Sequence, residues 1–291
     1  MRRSRLTACP SHVDRSQAGT MSKLARVLIL PLALLLSVLM APRADAAVAL
    51  PKSMAGLGDS ITRAADVCCW YGDHPAQSWS TGSYRYDGIN SHYERLVAAE
   101  PAITGHQYND AVSGAKARDL GSQVSNAVAQ KVDYVTILMG ANDLCTSSTS
   151  TMTSTTDFAN QVNSALASLH QGLPNAHIFI SSIPNTYQLW SVLHTNWLAR
   201  LVWSTAHICQ SMLASTNTET QRQQVVAREL AFNQILAQAC SQYANCRWDA
   251  NATYNYKFST SQVSTLDYFH PSLSGQAALA QLTWNASWWA S

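Results

Sequence analysis

The sequence predicts an α/β domain, a parallel sheet covered by helices on both faces. Three observations lead there. Strand-like and helix-like segments alternate along the chain. Residues 133–139 and 177–181 are nearly unbroken apolar runs, as expected of parallel strands buried on both faces. Motifs rich in Gly, Asn, Asp and Ser fall just after predicted strands, where such sheets gather their active groups. No collagen, heptad or solenoid period is visible, and no linker divides the chain.

In chain order, residues 53–58 predict a short strand running into a tight glycine turn. Residues 61–88 are irregular and aromatic, with Trp70, Tyr71, Trp79, Tyr84 and Tyr86. Residues 89–99 predict a helix stopped by Pro101. Residues 107–109 suit a short strand, 118–130 a helix and 133–139 the strongest strand. The Ser/Thr tract 146–156 is a loop leading to a helix near 157–170. Another buried strand follows at 177–181, then helices at 190–213 and 220–243. A last short strand at 246–249 and a closing helix at 273–288 complete the series.

Composition narrows the class. The chain has 291 residues, 47% hydrophobic and 12% charged. The apolar share excludes wholesale disorder. The charged share is about half the usual quarter, with Ser, Thr, Asn and Gln in its place, which suits an exported polar surface. A leader is expected at the start. Residues 21–26 are basic, 27–41 almost wholly apolar, and Ala44-Asp45-Ala46 is an A-x-A cleavage site. The apolar run of 15 residues is short for a membrane span, so a retained anchor is the weaker reading. Met21 is the expected initiator, with residues 1–20 an upstream extension. Cleavage after Ala46 leaves residues 47–291 as one domain.

The leader carries seven of the 19 Lys and Arg and two of the 17 Asp and Glu, leaving 12 and 15, a net charge of −3. A nucleic-acid partner is not expected of such a surface. Six cysteines remain, Cys68, Cys69, Cys145, Cys209, Cys240 and Cys246, and an even count in an exported chain suggests disulfides. Cys240 and Cys246 suit a small loop, and Cys145 and Cys209 a long-range bridge. Cys68 and Cys69 are candidates with a difficulty. Adjacent Cα atoms lie about 3.8 Å apart, below the usual disulfide range. A zinc site lacks a second spaced Cys/His pair.

Four motifs carry chemistry. In Gly58-Asp59-Ser60, Ser60 is expected at a strand end, its hydroxyl exposed and a helix amino terminus favouring negative charge there. A helix-capping serine is the alternative. In Asn109-Asp110-Ala111-Val112-Ser113-Gly114, the glycine permits close backbone approach, so its N–H can bind an oxyanion; an ordinary turn is the alternative. In Gly140-Ala141-Asn142-Asp143, the Asn142 amide can donate to the same oxyanion or form an Asx turn. In Asp267-Tyr268-Phe269-His270-Pro271, the proline biases His270 away from helical geometry, and the bent loop can bring Asp267 onto the imidazole; a helix-start Asp beside a surface His is the alternative. A serine needs such a base to become a nucleophile.

Taken together, in chain order and each at an expected loop, the four motifs resemble the SGNH hydrolases, the GDSL family of esterases and lipases. The resemblance spans about residues 54–275. It implies Ser60 as nucleophile, His270 as base and Asp267 as its orienting carboxylate. Ser60, Gly114 and Asn142 would supply the oxyanion hole. It implies a three-layer, flavodoxin-like α/β/α sandwich with about five parallel strands, and needs no metal or organic cofactor. The implied partner is a small-molecule or lipid ester, met by a secreted, extracellular monomer with no membrane anchor after cleavage. The exported, cysteine-containing form resembles the actinobacterial branch, whose members often carry three disulfides. A cysteine partner for Cys68 is then expected near position 74, where this chain has His74. The aromatics Trp70, Tyr71, Trp79 and Tyr84 either line a pocket or pack their loop. His74, His92, His106, His170, His177, His194 and His207 have no Asp-x-x-His frame and are expected to be structural.

Overall fold

The computed structural model describes residues 48–290. The expected leader and the choice of initiator lie outside the described residues. Five parallel strands form one sheet: β1 (Met54–Gly58), β2 (Gln107–Asn109), β3 (Tyr134–Leu138), β4 (His177–Ile180) and β5 (Cys246–Trp248). Their spatial order is β2-β1-β3-β4-β5. The order reverses between β1 and β3, and the crevice at the carboxyl ends of those two strands is where such sheets bind ligands.

Strand periodicity sorts the side chains into two cores. Ala55, Leu57, Val135, Ile137, Ile178 and Ile180 join the larger apolar cluster on one face. Met54, Tyr134 and Phe179 join the smaller cluster on the other. Successive strand residues point to opposite faces, so a continuous apolar run fills both. Helices cover each side: α1 (His92–Ala99), α2 (Leu120–Gln130), α3 (Ala141–Leu144), α4 (Thr155–Gly172), α5 (Thr186–Leu193), α6 (Trp197–Thr205), α7 (Gln210–Leu213), α8 (Glu219–Ser241), α9 (Ala252–Asn255) and α10 (Leu273–Asn285). Residues of α2, α4 and α8 enter the larger cluster, where Phe158 of α4 stacks on Phe232 of α8 at 3.9 Å. Tyr93 and Leu96 of α1 and Trp284 of α10 meet the smaller one. The expected three-layer α/β/α sandwich with five parallel strands is what the chain forms.

Departures from the expected elements have local causes. The helix expected at 89–99 starts at His92, because Ser91 and Glu94 form a reciprocal capping box. The segment 190–213, read as one helix, is three pieces. Asn196 accepts from Leu198 N–H and Ala199 N–H and opens α6 afresh. His207 and Cys209 then adopt left-handed backbone angles that end it. Helix α10 stops at Asn285, short of 288, and Trp288 and Trp289 turn back onto Tyr134 and His177. Helices α3 and α9, each four residues long, carry no periodic signal and were not expected. Among the described residues no helix is long and apolar enough to cross a membrane.

Candidate active site

Strand β1 delivers Asp59 and Ser60 to the crevice. Gly58 has φ +147°, and an added Cβ there would lie 2.3 Å from the Leu138 carbonyl oxygen of β3. Only glycine lets the two strand ends close together at this point. No helix begins at Ser60, contrary to expectation. Residues 60–66 form a knot of turns instead, with Arg63 N–H donating to Asp59 O and Ala65 N–H to Ser60 O. Two left-handed residues, Ala64 and Asp66, prevent a regular helix.

Two buried amides hold this turn. Gln123 of α2 accepts from Gly58 N–H at 2.7 Å and donates to Gly58 O at 2.8 Å. Gln276 of α10 donates to Ile61 O at 2.8 Å and accepts from Trp79 N–H at 2.9 Å. The nucleophile candidate thus sits between two clamped peptide units. Neither glutamine was singled out from sequence; each lies on a helix far from Ser60 in the chain, with no motif around it.

The Asp267–His270 loop meets Ser60 across the crevice. Asp267 Oδ1 accepts from Phe269 N–H and His270 N–H, at 2.9 and 3.1 Å, so the carboxylate organises its own loop. Tyr268 takes φ +58°, which makes the bend. His270 Nδ1–H donates to Asp267 Oδ2. That leaves Nε2 as the acceptor for the Ser60 hydroxyl, 2.7 Å away. Burial pushes the imidazole pKa down, but the Asp267 hydrogen bond and the Asp267, Asp66 and Asp59 charges raise it above its ordinary value. Burial pushes Asp267 up, and its bond to His270 outweighs this and holds it low. Asp59 is fully buried and is raised to about 7 by desolvation.

The oxyanion candidates face the same opening. Gly114 has φ +82° with open space where a Cβ would stand. The Asn142 amide donates to Ala115 O at 3.1 Å, which ties helix α3 to the Gly114 turn. Among the described residues the N–H groups of Ser60 and Gly114 have no protein acceptor. Ser60, Gly114, Asn142, Asp267 and His270 all line one cleft of about 720 Å³. All five of the expected site residues are therefore brought together.

Other expectations sort differently. Disulfides join Cys145 to Cys209 and Cys240 to Cys246. Cys68 and Cys69, also named as disulfide candidates, are free, with their sulfurs 2.9 Å apart. Adjacent residues on a trans backbone do not reach disulfide geometry without strain. Position 74 offers no thiol, and His74 Nε2 instead donates to Trp70 O at 3.0 Å. Of the four aromatics only Tyr71 lines the cleft. Trp79 is core, while Trp70 and Tyr84 are exposed. His207, expected to be structural, lines the cleft. His92 is structural, fully buried between Tyr134 and Thr283. Asp66 also lines the cleft and was not anticipated. Asp66, Asp267 and His270 are a set whose ligand atoms lie within 4.8 Å of one another. Both ring nitrogens of His270 are engaged in the chain from Asp267 to Ser60, which is the arrangement of a proton relay.

A candidate nucleophile, base, orienting carboxylate and unpaired donors meet at one strand crevice, the arrangement that a serine hydrolase requires. The profile of the GDSL-like lipase/acylhydrolase family matches residues 54–283, and the chain belongs to that family. Among solved structures it is similar to phospholipase A1 from Streptomyces albidoflavus, with 16% identity over 81% of this chain and 99% of that one, at a TM-score of 0.46. It is also similar to a family 3 carbohydrate esterase from Clostridium thermocellum, with 13% identity over 80% of this chain and 94% of that one, at a TM-score of 0.46. No curated protein matches the chain.

Proposed function

We propose that the chain is an exported serine ester hydrolase, an esterase or lipase that cleaves carboxylic esters through an acyl-enzyme. The observation that carries this reading is the unbroken hydrogen-bond chain Asp267–His270–Ser60 at the floor of an open cleft. Ser60 Oγ gives its proton to His270 Nε2 as it attacks the ester carbonyl. The oxyanion of the tetrahedral intermediate accepts from Ser60 N–H, Gly114 N–H and the free N–H of the Asn142 amide. His270 then protonates the leaving alcohol, and the acyl group stays on Ser60. Water enters, His270 takes its proton, and the acid is released. Asp267 keeps Nδ1 protonated throughout and stabilises the imidazolium. Residues 1–46 are removed on export, and the mature domain, 47–291, works as a monomer on a small-molecule or lipid ester. The two disulfides suit an oxidising compartment.

A second reading keeps the machinery and specifies the alcohol. The cleft lining includes the Asp66 carboxylate, which no Lys or Arg pairs with among the described residues, and the Thr205 hydroxyl; Asp73 also lines it but is paired with Arg63 at 2.9 Å. Carboxylates accept hydroxyl donors and repel phosphate. This favours an acetylated sugar over an anionic phospholipid. Hydrolysis of p-nitrophenyl esters from acetate to palmitate by wild type and Ser60→Ala tests the main reading. Turnover that vanishes in the variant supports it, and the optimum chain length separates esterase from lipase. No turnover by disulfide-bonded wild type on any of these esters, on acetylated oligosaccharides or on phospholipid vesicles overturns it in favour of a carbohydrate-binding role.

A further inference from the structure

Asp267 is not the only carboxylate at the protonated side of His270. Asp66, from the turn after β1, places Oδ2 3.9 Å from His270 Nδ1, and its side chain is only 17% exposed. Three contacts fix it there. Asp66 Oδ1 accepts from Gly72 N–H at 2.6 Å, and Asp66 N–H donates to Gly72 O at 2.8 Å. The hydroxyl of Ser264, on the loop that carries Asp267, donates to Asp66 O. Tyr71 closes the same junction by donating from its hydroxyl to Leu266 O at 2.9 Å. One oxygen of Asp66 thus serves its own loop and the other is turned towards the imidazole.

We propose that Asp66 is a second carboxylate partner of His270, a positioning residue that shares with Asp267 the support of the imidazolium formed in each half-reaction. The inference rests on the reading of His270 as the general base. A carboxylate within about 4–6 Å of an imidazole favours its charged form. The groups facing His270 are Asp267 from its own loop, Asp66 from the turn after β1, and Asp59 at the end of β1, which in turn faces Asp143. The Asp59 carboxylate accepts from Ile61 N–H through one oxygen, and its other oxygen is buried without a partner. Asp66 is the half-buried member of the set and the one whose charge can be removed without emptying a buried site.

The alternative is that Asp66 only closes the 66–72 loop. Asp66→Asn separates the two roles, because the Asn oxygen still accepts from Gly72 N–H while the charge is gone. The first measurement is an NMR titration of the His270 imidazole in Ser60→Ala and in Ser60→Ala/Asp66→Asn, which needs no ester turnover. The midpoint is expected to fall by roughly 0.5–1 pH unit in the second protein. In the active enzyme, Asp66→Asn moves the acidic limb of the kcat/KM profile to lower pH, and Asp66→Glu restores it. Asp267→Asn retains residual activity, and Asp66→Asn added to it removes roughly a further threefold or more. Should the Asn variant fail to fold, Asp66→Ser also keeps an acceptor for Gly72 and loses the charge. An unchanged His270 midpoint in a folded, uncharged variant overturns the proposal. A shifted midpoint in a protein whose wild type hydrolyses no ester leaves the pairing standing and overturns the esterase reading instead.

Discussion

Asn142 shows how one side chain serves structure and chemistry together. Its amide nitrogen donates one hydrogen to Ala115 O, next to Gly114, and keeps the second for the cleft. The same contact that orients this donor ties together the two loops proposed to hold the oxyanion. Replacing Asn142 by Ala removes a donor aimed at developing charge. Turnover is expected to fall by roughly 10²–10³-fold, with KM and the unfolding midpoint little changed, since Asn142 is partly exposed and its helix is short. Steady-state kinetics on a p-nitrophenyl ester, alongside a thermal melt, checks both halves. Wild-type turnover in Asn142→Ala would remove this residue from the oxyanion hole.

At the scale of elements, α6 and the turn that follows it form a wall of the cleft. Val202 and Thr205 of α6 line the opening, and Trp203 of the same helix donates from Nε1 to Tyr268 O in the histidine loop at 2.9 Å. The Cys145–Cys209 disulfide fastens the start of α7 to the end of α3, the helix that carries Asn142. Ser211 reinforces that seam by donating from its hydroxyl to Leu144 O at 2.6 Å. This bridge closes a loop of 64 residues, whereas Cys240–Cys246 closes one of 6. On the chain-entropy account the first stabilises by about 4 kcal/mol and the second by about 2 kcal/mol. Cys145→Ser/Cys209→Ser is expected to lower the urea midpoint more than Cys240→Ser/Cys246→Ser. It should also lower kcat, because it frees both the cleft wall and the oxyanion helix. Equal kinetic effects of the two double variants would detach the disulfide from the site.

Acid stability belongs to the whole molecule, because His92 joins three of its parts. From the first residue of α1 its ring bonds to the Tyr134 hydroxyl of β3 at 2.9 Å and to Thr283 Oγ1 of α10 at 2.8 Å. Burial pushes its pKa down from 6.5 to about 3. Between those values the unfolded chain binds a proton that the folded chain refuses. Stability from this group is therefore full above pH 6.5 and is lost as the pH falls towards 3. Urea midpoints measured from pH 7 to pH 4 should decline more steeply in wild type than in His92→Gln. A parallel decline would mean that other groups carry the acid sensitivity. Asp267, whose folded pKa is depressed, also loses its stabilisation at low pH, whereas His270, whose folded pKa is raised, contributes stability at low pH that is lost as the pH rises.

Much of this protein was legible along the chain, and the reason is locality. The continuous apolar runs at β3 and β4 carry their burial in consecutive residues, so their positions were readable without a fold. The Asp267–His270 contact spans three residues and a proline, and a bent loop suffices to make it. Ser60, Gly114 and Asn142 could be marked as candidates because their motifs follow strand ends, and Asp267 and His270 because they share one short loop before the last helix. What tertiary structure alone decided lacks any such local mark. The break of 190–213 into three helices depends on the Asn196 cap and the left-handed residues at His207 and Cys209. Gln123 and Gln276 reach the nucleophile turn from separations of 65 and 215 residues. Asp66 meets His270 only because the turn after β1 folds against a loop some two hundred residues away, and Cys68 and Cys69 find no disulfide partner among the described residues. Hydrophobic periodicity and strand-end motifs are properties of neighbouring residues; clamps, second carboxylates and unpaired thiols are properties of distances between residues, which exist only once the chain has folded.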